Sequence, residues 1–223
     1  MGDRLSDSSL LDSFVPLEDD NAVPRRAKGL AGDEPLSGAT GFAVQHQQQD
    51  NWCWAAVSSS VAGFLAAGSG WTQCKVVNAE LGRGDCCGDS ANGPCDTPWY
   101  LDAALTRVGC FRSMKAGPAS FDDLREEVKA RRVLCARIGW DGGGGHFVGI
   151  TGWSIGTSGT QYLAIEDPFY SHADVTYQGF VSAYRNAGSW THSYFTGSAG
   201  GAGAPPKALS PSRAARDPAT LGG

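Results

Sequence analysis

The sequence predicts an α+β fold, in which a mostly helical first half is followed by an antiparallel β-sheet. Apolar residues recur at helical spacing between residues 51 and 128. From residue 133 onward they form short β-branched or aromatic runs that glycine-rich turns separate. The two ends follow neither pattern, so we expect one domain over residues 40–196. Helices followed by strands are typical of a helical layer packed on or beside a sheet.

The first two helices are expected at residues 51–67 and 72–81. Apolar side chains of residues 51–67 cover a broad face and small residues fill the rest, which predicts a buried helix. Asp50 or Asn51 can cap its first turn, since either side chain accepts hydrogen bonds from free amides. Gly82 is expected to end the second helix, because glycine tolerates the left-handed conformation of a helix C-terminus.

The next two helices carry clearer start signals. Thr97 is a suitable N-cap and Pro98 suits a first helical position, so a third helix is expected from there until Gly109. A fourth begins at Ser120, which stands three residues ahead of Asp123 in the spacing of a capping box. Both segments carry apolar residues three and four positions apart, which predicts that each helix buries one face.

The second half of the domain is expected to supply the sheet. Strands are predicted at residues 133–138, 146–153 and 161–165. A short helix around residues 180–184 and a last strand at residues 190–195 complete the domain. A glycine-rich turn between the second and third of these strands predicts that they form a hairpin.

Both ends of the chain are expected to lie outside the domain. Residues 1–39 carry eight acidic and four basic residues without periodicity, which predicts a disordered tail or a removable prosegment. Residues 197–223 are rich in Gly, Ala and Pro, a composition that predicts a flexible C-terminal tail.

Composition argues against several classes of function. The net charge is -5 and no run of five or more basic residues occurs, which argues against a nucleic-acid partner. No apolar run approaches the roughly 20 residues of a membrane helix, and residues 1–30 do not form a standard signal peptide. We expect a monomer without a transmembrane segment.

The seven cysteines predict disulfide bonds. Cys53 stands apart, and the other six allow up to three disulfides of undetermined pairing. Disulfides need an oxidising compartment, which favours secretion by a leaderless or specialised route, although a cytoplasmic location stays open. Buried free thiols are an alternative, and a zinc site is disfavoured because no C-x-x-C pair occurs. The six residues are Cys74, Cys86, Cys87, Cys95, Cys110 and Cys135.

Cys53 is a candidate nucleophile. Its sulfur lies in the first turn of a predicted helix, where free amides and the aligned peptide dipoles favour the thiolate. The thiolate is the nucleophilic form of cysteine. An inert core cysteine beside Trp52 and Trp54 is the alternative interpretation, because free cysteines are often buried.

His146 and Asp167 are the candidate base and the group that orients it. His146 begins one strand directly after four glycines, and Asp167 ends the next strand. The turn lies midway between them, so antiparallel pairing brings both to the same end of the hairpin. There a carboxylate can hold an imidazole in one orientation and tautomer. His46, His172 and His192 follow no such pattern and are interpreted as surface residues.

The residues around Cys53 resemble the catalytic helix of papain-like cysteine peptidases, in which a glutamine precedes a Cys-Trp pair. Gln47 stands six positions before Cys53, and Trp54 follows Cys53 directly. The order Gln, Cys, His, Asp is similar to that of the small bacterial branch, which includes double-glycine leader peptidases and effector cysteine proteases of plant pathogens. In that family a Gly-His strand start and a later Asp-Pro complete a catalytic triad. The chain carries these dipeptides at His146 and Asp167.

The resemblance implies a role for each of these residues. Cys53 would be the nucleophile, His146 the base and then the acid, and Asp167 the orienting carboxylate. Gln47 would donate from its side chain to the oxyanion hole, beside the amide of Cys53. The two residues that follow Gln47 are also glutamines and leave the register open, although the six-residue interval favours Gln47.

The resemblance also implies a fold and an activity. The expected fold is papain-like, with the helix of Cys53 buried and packed against the sheet. The expected activity is hydrolysis of peptide bonds in a peptide or protein substrate through an acyl-enzyme intermediate, without a metal or an organic cofactor. Two alternatives stay open. One is acyl transfer to an amine or thiol in the same fold, and the other is a catalytically inactive, disulfide-stapled module that binds a peptide.

Overall fold

The computed structural model describes residues 37–198, which form five helices and a seven-stranded antiparallel sheet. The expected α+β class is therefore confirmed. The helices are α1 (Cys53–Leu65), α2 (Gln73–Leu81), α3 (Leu101–Arg107), α4 (Phe121–Lys129) and α5 (Tyr177–Ala183). The strands are β1 (Ser37–Ala39), β2 (Phe111–Ala116), β3 (Leu134–Trp140), β4 (Gly145–Ile155), β5 (Gln161–Asp167), β6 (Ser171–Thr176) and β7 (Gly188–Thr196).

The long strand β4 organises the sheet. The strand order is β2-β7-β3-β4-β5-β6, and every pairing is antiparallel. One edge of β4 has two neighbours, since residues 145–150 pair with β3 and residues 152–154 pair with β1. Its other edge forms the hairpin with β5. The start of β4 and the end of β5 therefore lie at the same end of the sheet.

Helices cover both faces of this sheet. Leu134 and Cys135 are successive residues of β3, so they point to opposite faces, and they belong to different hydrophobic cores. The core of Cys135 contains residues of α1, α2 and α3, among them Val57. The core of Leu134 contains residues of α4 and α5, among them Phe180. The sheet is the middle of three layers, whereas the sequence predicted a helical layer without specifying both sides.

Helices α1 and α2 lie where their periodicity predicts, but the cap of α1 differs from the expectation. Trp52 occupies the N-cap position and no side chain caps the helix, so the predicted caps Asp50 and Asn51 are wrong. The backbone N–H of Asn51 donates to the carboxylate of Asp96 at 2.8 Å, which ties the start of α1 to a distant loop. Helix α2 ends as predicted, with Gly82 in the left-handed conformation at φ 64°.

Helix α3 begins later than Thr97 and Pro98 predict. Its N-cap is Tyr100, so residues 97–99 precede the helix. The carbonyl oxygen of Thr97 accepts a hydrogen bond from the indole of Trp54 at 3.0 Å. No local sequence pattern predicts this long-range contact.

The last two helices are capped by side chains. In α4 the Ser120 hydroxyl accepts from the N–H of Asp123 at 3.1 Å, and the Asp123 carboxylate accepts from the N–H of Ser120 at 3.3 Å. The predicted capping box is confirmed. Helix α5 begins at residue 177, ahead of the predicted residues 180–184, because the Thr176 hydroxyl accepts from the N–H of Gly179 at 3.0 Å.

Three strands were not predicted, whereas β3, β4, β5 and β7 lie near their expected positions. Strand β1 lies within residues 1–39, which were assigned to the N-terminal tail, and the sheet therefore includes residues 37–39. Strand β2 is exposed along most of its length, so it lacks the apolar alternation of a half-buried strand. Strand β6 is mostly polar and buries Val175 alone among its six residues.

Two disulfides form among the six candidate cysteines, and the third possible pair does not. Cys110 and Cys135 are buried free thiols, as in the alternative interpretation. Strand β7 lies between β2 and β3. Cys110 directly precedes β2 and Cys135 belongs to β3, so their backbones are about two strand spacings, or about 10 Å, apart, which exceeds the Cα separation of a disulfide. The disulfides are Cys74–Cys87 and Cys86–Cys95.

A membrane-spanning helix would need greater length and apolarity than any helix within residues 37–198 has. Residues 1–36 of the predicted N-terminal tail and residues 199–223 of the predicted C-terminal tail lie outside the described residues. The expectations for a prosegment and for a flexible tail therefore stay predictions.

Candidate active site

Cys53 is the first residue of α1 and is buried. The tryptophans on either side anchor this end of the helix. The indole N–H of Trp52 donates to the carbonyl of Cys95 at 2.8 Å, and that of Trp54 donates to the carbonyl of Thr97. Because amides in the first turn of a helix lack intrahelical partners, the sulfur lies near a partial positive charge. A disulfide-bonded loop thus fixes the position of the Cys53 thiol.

His146 and Asp167 meet at the open end of the β4–β5 hairpin. His146 is the second residue of β4 and Asp167 is the last residue of β5. Gly149 and Glu166 are the last paired residues at this end of the hairpin, so His146 and Asp167 both lie just beyond the paired region. Nε2 of His146 lies 2.8 Å from Oδ1 of Asp167, and both residues are buried. The antiparallel pairing inferred from the sequence therefore brings these two groups into a hydrogen bond.

Asp167 keeps a negative charge in a buried position. Burial raises the pKa of this carboxyl, but the charge and hydrogen bond of His146, together with two backbone amides, outweigh burial and lower the pKa. Oδ1 accepts from the N–H groups of Phe169 at 2.8 Å and Tyr170 at 2.9 Å. Oδ2 accepts from the hydroxyl of Tyr184 at 2.8 Å. Both oxygens are satisfied, so the carboxylate is held in one orientation.

The pKa of the His146 imidazole depends on both Asp167 and Cys53. Burial would lower the pKa of His146, but the Asp167 charge and hydrogen bond, with a further hydrogen bond and charge interaction from Cys53, raise it above its ordinary value. Nε2 is bonded to Asp167, so Nδ1 is the ring nitrogen that remains for Cys53. The structure thus joins two of the four side chains that the sequence singled out for catalysis, His146 and Asp167, in a hydrogen bond, and Cys53 is among the groups that raise the pKa of the imidazole.

Aromatic rings enclose the His146–Asp167 hydrogen bond. Trp140 stacks on His146 with ring centroids 6.0 Å apart, and on Tyr184 with centroids 6.3 Å apart. Tyr170 meets the His146 ring edge-on. Sequence reasoning missed these rings. Trp140 alone carried a signal, because it ends a strand just before the glycines that lead into His146, and a hairpin there would make the two residues diagonal neighbours.

Gln47 lies in the loop that leads into α1, beside the end of β5. Its backbone N–H donates to the carbonyl of Pro168 at 2.9 Å. The side chain is buried, and Nε2 donates to the carbonyls of Gln49 at 3.0 Å and Asp50 at 2.7 Å. Oε1 has no hydrogen-bond partner within the described part of the chain. Both side-chain N–H groups of Gln47 are therefore engaged by backbone carbonyls in this structure.

An open cleft of about 550 Å³ runs along the same loop. Cys53, His146 and Asp167 are not among the residues that line it. Phe169 is 36% exposed and supplies apolar surface at the edge of the cleft. The cleft is lined by His46, Gln47, Gln48, Gln49, Asp50 and Phe169.

The three remaining histidines have other partners. His46 is exposed, as expected for a surface residue, whereas the other two are partly buried. The partners differ in kind, since one is an aromatic ring, one is a pair of carboxylates and one is a hydroxyl. The contacts are those of His46 with Phe169, of His172 with Glu166 and Asp174, and of His192 with Thr191.

One group of described residues has metal-ligating atoms close together, namely Asp85, Cys86 and Cys95, within 4.8 Å of one another. The two sulfurs are joined in a disulfide, so neither can act as a thiolate ligand. This group therefore does not support the zinc interpretation of the cysteines.

Comparison with known protein families identifies the family of this chain. The sequence profile described as "Papain-like cysteine protease AvrRpt2" matches residues 38–185, more than half of the chain. The match contains Cys53, His146 and Asp167, together with Trp140 and Tyr184. No curated protein matches the chain significantly. The chain belongs to the papain-like cysteine protease AvrRpt2 family and is a cysteine protease that acts on protein substrates.

Proposed function

We propose that this protease cleaves peptide bonds through a triad of Cys53, His146 and Asp167. The observation that carries the proposal is the buried 2.8 Å contact between His146 and Asp167, with Cys53 among the groups that raise the pKa of His146. A nucleophile, a base and an orienting group in contact are the arrangement that covalent acyl transfer requires. Contact between α1 and β4 is also what a papain-like fold would need.

The first half-reaction transfers the acyl group to sulfur. The Cys53 thiolate attacks the scissile carbonyl carbon, which forms a carbon–sulfur bond and places negative charge on the carbonyl oxygen. The carbon–nitrogen bond then breaks, and the imidazolium of His146 gives its proton to the leaving amine. A protonated His146 is available for this step because its pKa lies above the ordinary value.

The second half-reaction releases the acyl group as a carboxylic acid. Neutral His146 takes a proton from water, the oxygen of that water attacks the thioester carbon, and the carbon–sulfur bond breaks. Asp167 holds the imidazole in one orientation throughout and compensates its positive charge. The ring of Trp140 stacks on the imidazole beside the hydrogen bond to Asp167.

We assign Gln47 to the oxyanion hole together with the amide of Cys53. The amide belongs to the first turn of α1, where N–H groups lack intrahelical acceptors. Gln47 would have to exchange one of its bonds, to Gln49 or Asp50, for the charged oxygen. A charge-assisted hydrogen bond is about twice as strong as a neutral one, which favours that exchange once the oxyanion forms.

The direct test is hydrolysis of denatured casein by Cys53→Ala. We expect this variant to lose casein cleavage and labelling by iodoacetamide at this position while its circular dichroism spectrum stays unchanged. Cys110→Ala is the matched control, because it removes another buried free thiol, and it should keep wild-type activity. Casein cleavage that persists in Cys53→Ala would refute the assignment. Mass analysis of the products with an added amine distinguishes hydrolysis from acyl transfer.

A further inference from the structure

A buried arginine lies on the face of the sheet that α1 covers. Arg137 is in the middle of β3 and is 6% exposed. Cys135, two residues earlier, and Phe147, its partner on β4, belong to the core under α1, so the Arg137 side chain points to that face. Within residues 37–198 no carboxylate forms an ion pair with Arg137. A buried charge without such a partner is costly, so another interaction must favour it.

Glycines on two strands make room for the guanidinium. A Cβ at Gly145 would lie 2.7 Å from the guanidinium carbon, and one at Gly139 would lie 3.3 Å from Nη1. Nη1 donates to the hydroxyl of Thr191 at 3.0 Å, and Nη2 donates to the carbonyl of Gly144 at 3.3 Å. The group is therefore fixed across β3, β4 and β7.

These contacts reach the backbone that carries His146. Gly144 and Gly145 are the two residues directly before it. Gly144 has a φ of 79°, a left-handed conformation that defines the entry into β4. By holding the carbonyl of Gly144, Arg137 fixes the turn from which the imidazole projects.

Three titratable groups near Arg137, on β3 and β7, are uncharged at neutral pH. On β7, burial and the Arg137 charge lower the pKa of His192, and burial raises the pKa of Tyr194. On β3, burial raises the pKa of Cys135. Asp102 of α3 interacts with Tyr194. Burial also lowers the pKa of Arg137, but an arginine stays protonated in proteins.

Cys53 belongs to the same core as Cys135 and Phe147, on the face of the sheet to which Arg137 points. A fixed positive charge favours an anionic sulfur. The same charge repels the imidazolium of His146, and the carboxylate of Asp167 offsets that repulsion. We propose that Arg137 is a positioning residue of this site, which fixes the turn before His146 and stabilises the anionic form of Cys53. This inference rests on the proposed function of the triad.

The test is the rate of Cys53 alkylation by iodoacetamide as a function of pH. Arg137→Gln should move the midpoint of the rate profile to higher pH, by about one pH unit, because the positive charge is lost. Arg137→Lys keeps the charge and should restore most of the wild-type profile. The matched control is Arg131→Gln, which removes the same charge from an exposed position and should leave the midpoint unchanged.

An Arg137→Gln midpoint equal to that of the wild type, in a folded protein, overturns the proposal. If that variant does not fold, Thr191→Val still tests positioning, since it removes one anchor and keeps the charge. We expect kcat to fall several-fold at unchanged KM, and an unchanged kcat would contradict the inference. Wild-type Cys53 that reacts no faster than glutathione at neutral pH would instead contradict the proposed function.

Discussion

The charge of His146 depends on one neighbouring carboxylate. Burial alone favours the neutral imidazole, and Asp167 is a principal group that raises the pKa of this ring. The same pairing lowers the pKa of Asp167, so each partner stabilises the charge of the other. At the scale of single residues, the pH dependence of the protease should therefore follow this pair.

Asp167→Asn should move the alkaline limb of kcat/KM for casein-derived peptides to lower pH. The reason is that asparagine keeps the shape but removes the charge, so the His146 proton leaves at lower pH, by roughly one unit or more. Asp174→Asn is the control, since it removes a carboxylate beside a different histidine. An alkaline limb at the same pH in wild type and Asp167→Asn would show that the carboxylate does not set the charge of His146.

The candidate catalytic residues could be predicted because their types and their spacing can be read directly from the sequence. Cys53 stands at a helix start, and His146 and Asp167 lie at the start and the end of the two strands of one hairpin. Arg137 and Tyr184 could not be predicted in the same way. Their contacts run from β3 to the turn before β4 and from α5 to the end of β5, and such contacts depend on the packed fold.

At the scale of elements, the two disulfides close overlapping loops but differ in what they hold. The loop of the Cys86–Cys95 disulfide carries the carbonyl of Cys95, which accepts the hydrogen bond from Trp52 at the start of α1. The Cys74–Cys87 disulfide connects α2 to this loop. The two bridges span 9 and 13 residues, so their effects on the entropy of the unfolded chain are similar.

Removal of either disulfide should lower the free energy of unfolding by a similar amount, about 2–3 kcal/mol by the chain-entropy relation. Only the double variant Cys86→Ala/Cys95→Ala should also slow alkylation of Cys53, because it frees the loop that anchors α1. Cys74→Ala/Cys87→Ala is the matched control. Urea unfolding and alkylation rates measure the two effects, and equal alkylation rates in both variants would exclude a link between this loop and the thiol.

The elements with regular apolar spacing were predictable, and those without it were not. The broad apolar face of α1 and the capping box of α4 are visible in the sequence. Strand β2 is exposed on most of its residues, so its side-chain pattern does not indicate a strand. It is a strand because its backbone pairs with β7. The predicted start of α3 at Thr97 and Pro98 was wrong, and the carbonyl of Thr97 instead accepts a long-range hydrogen bond from Trp54.

At the scale of the whole molecule, the site joins parts of the chain that are far apart in sequence. Cys53 comes from the first helix, and His146 and Asp167 come from a hairpin in the second half. The α+β class was predictable from the order of the elements. The strand order and the second helical layer were not, because pairing between distant strands is decided by packing and leaves no local pattern.

The central claim is that the fold brings the His146 ring against the Cys53 sulfur and makes that thiol reactive. The most direct measurement compares the pH dependence of Cys53 alkylation in wild type and His146→Ala. Cys110 is an internal reference, because burial raises the pKa of its thiol to about 11. We predict that wild-type Cys53 reacts rapidly below neutral pH, that His146→Ala loses this acidic reactivity, and that Cys110 stays inert in both. Superimposable Cys53 profiles in the two proteins would contradict the account.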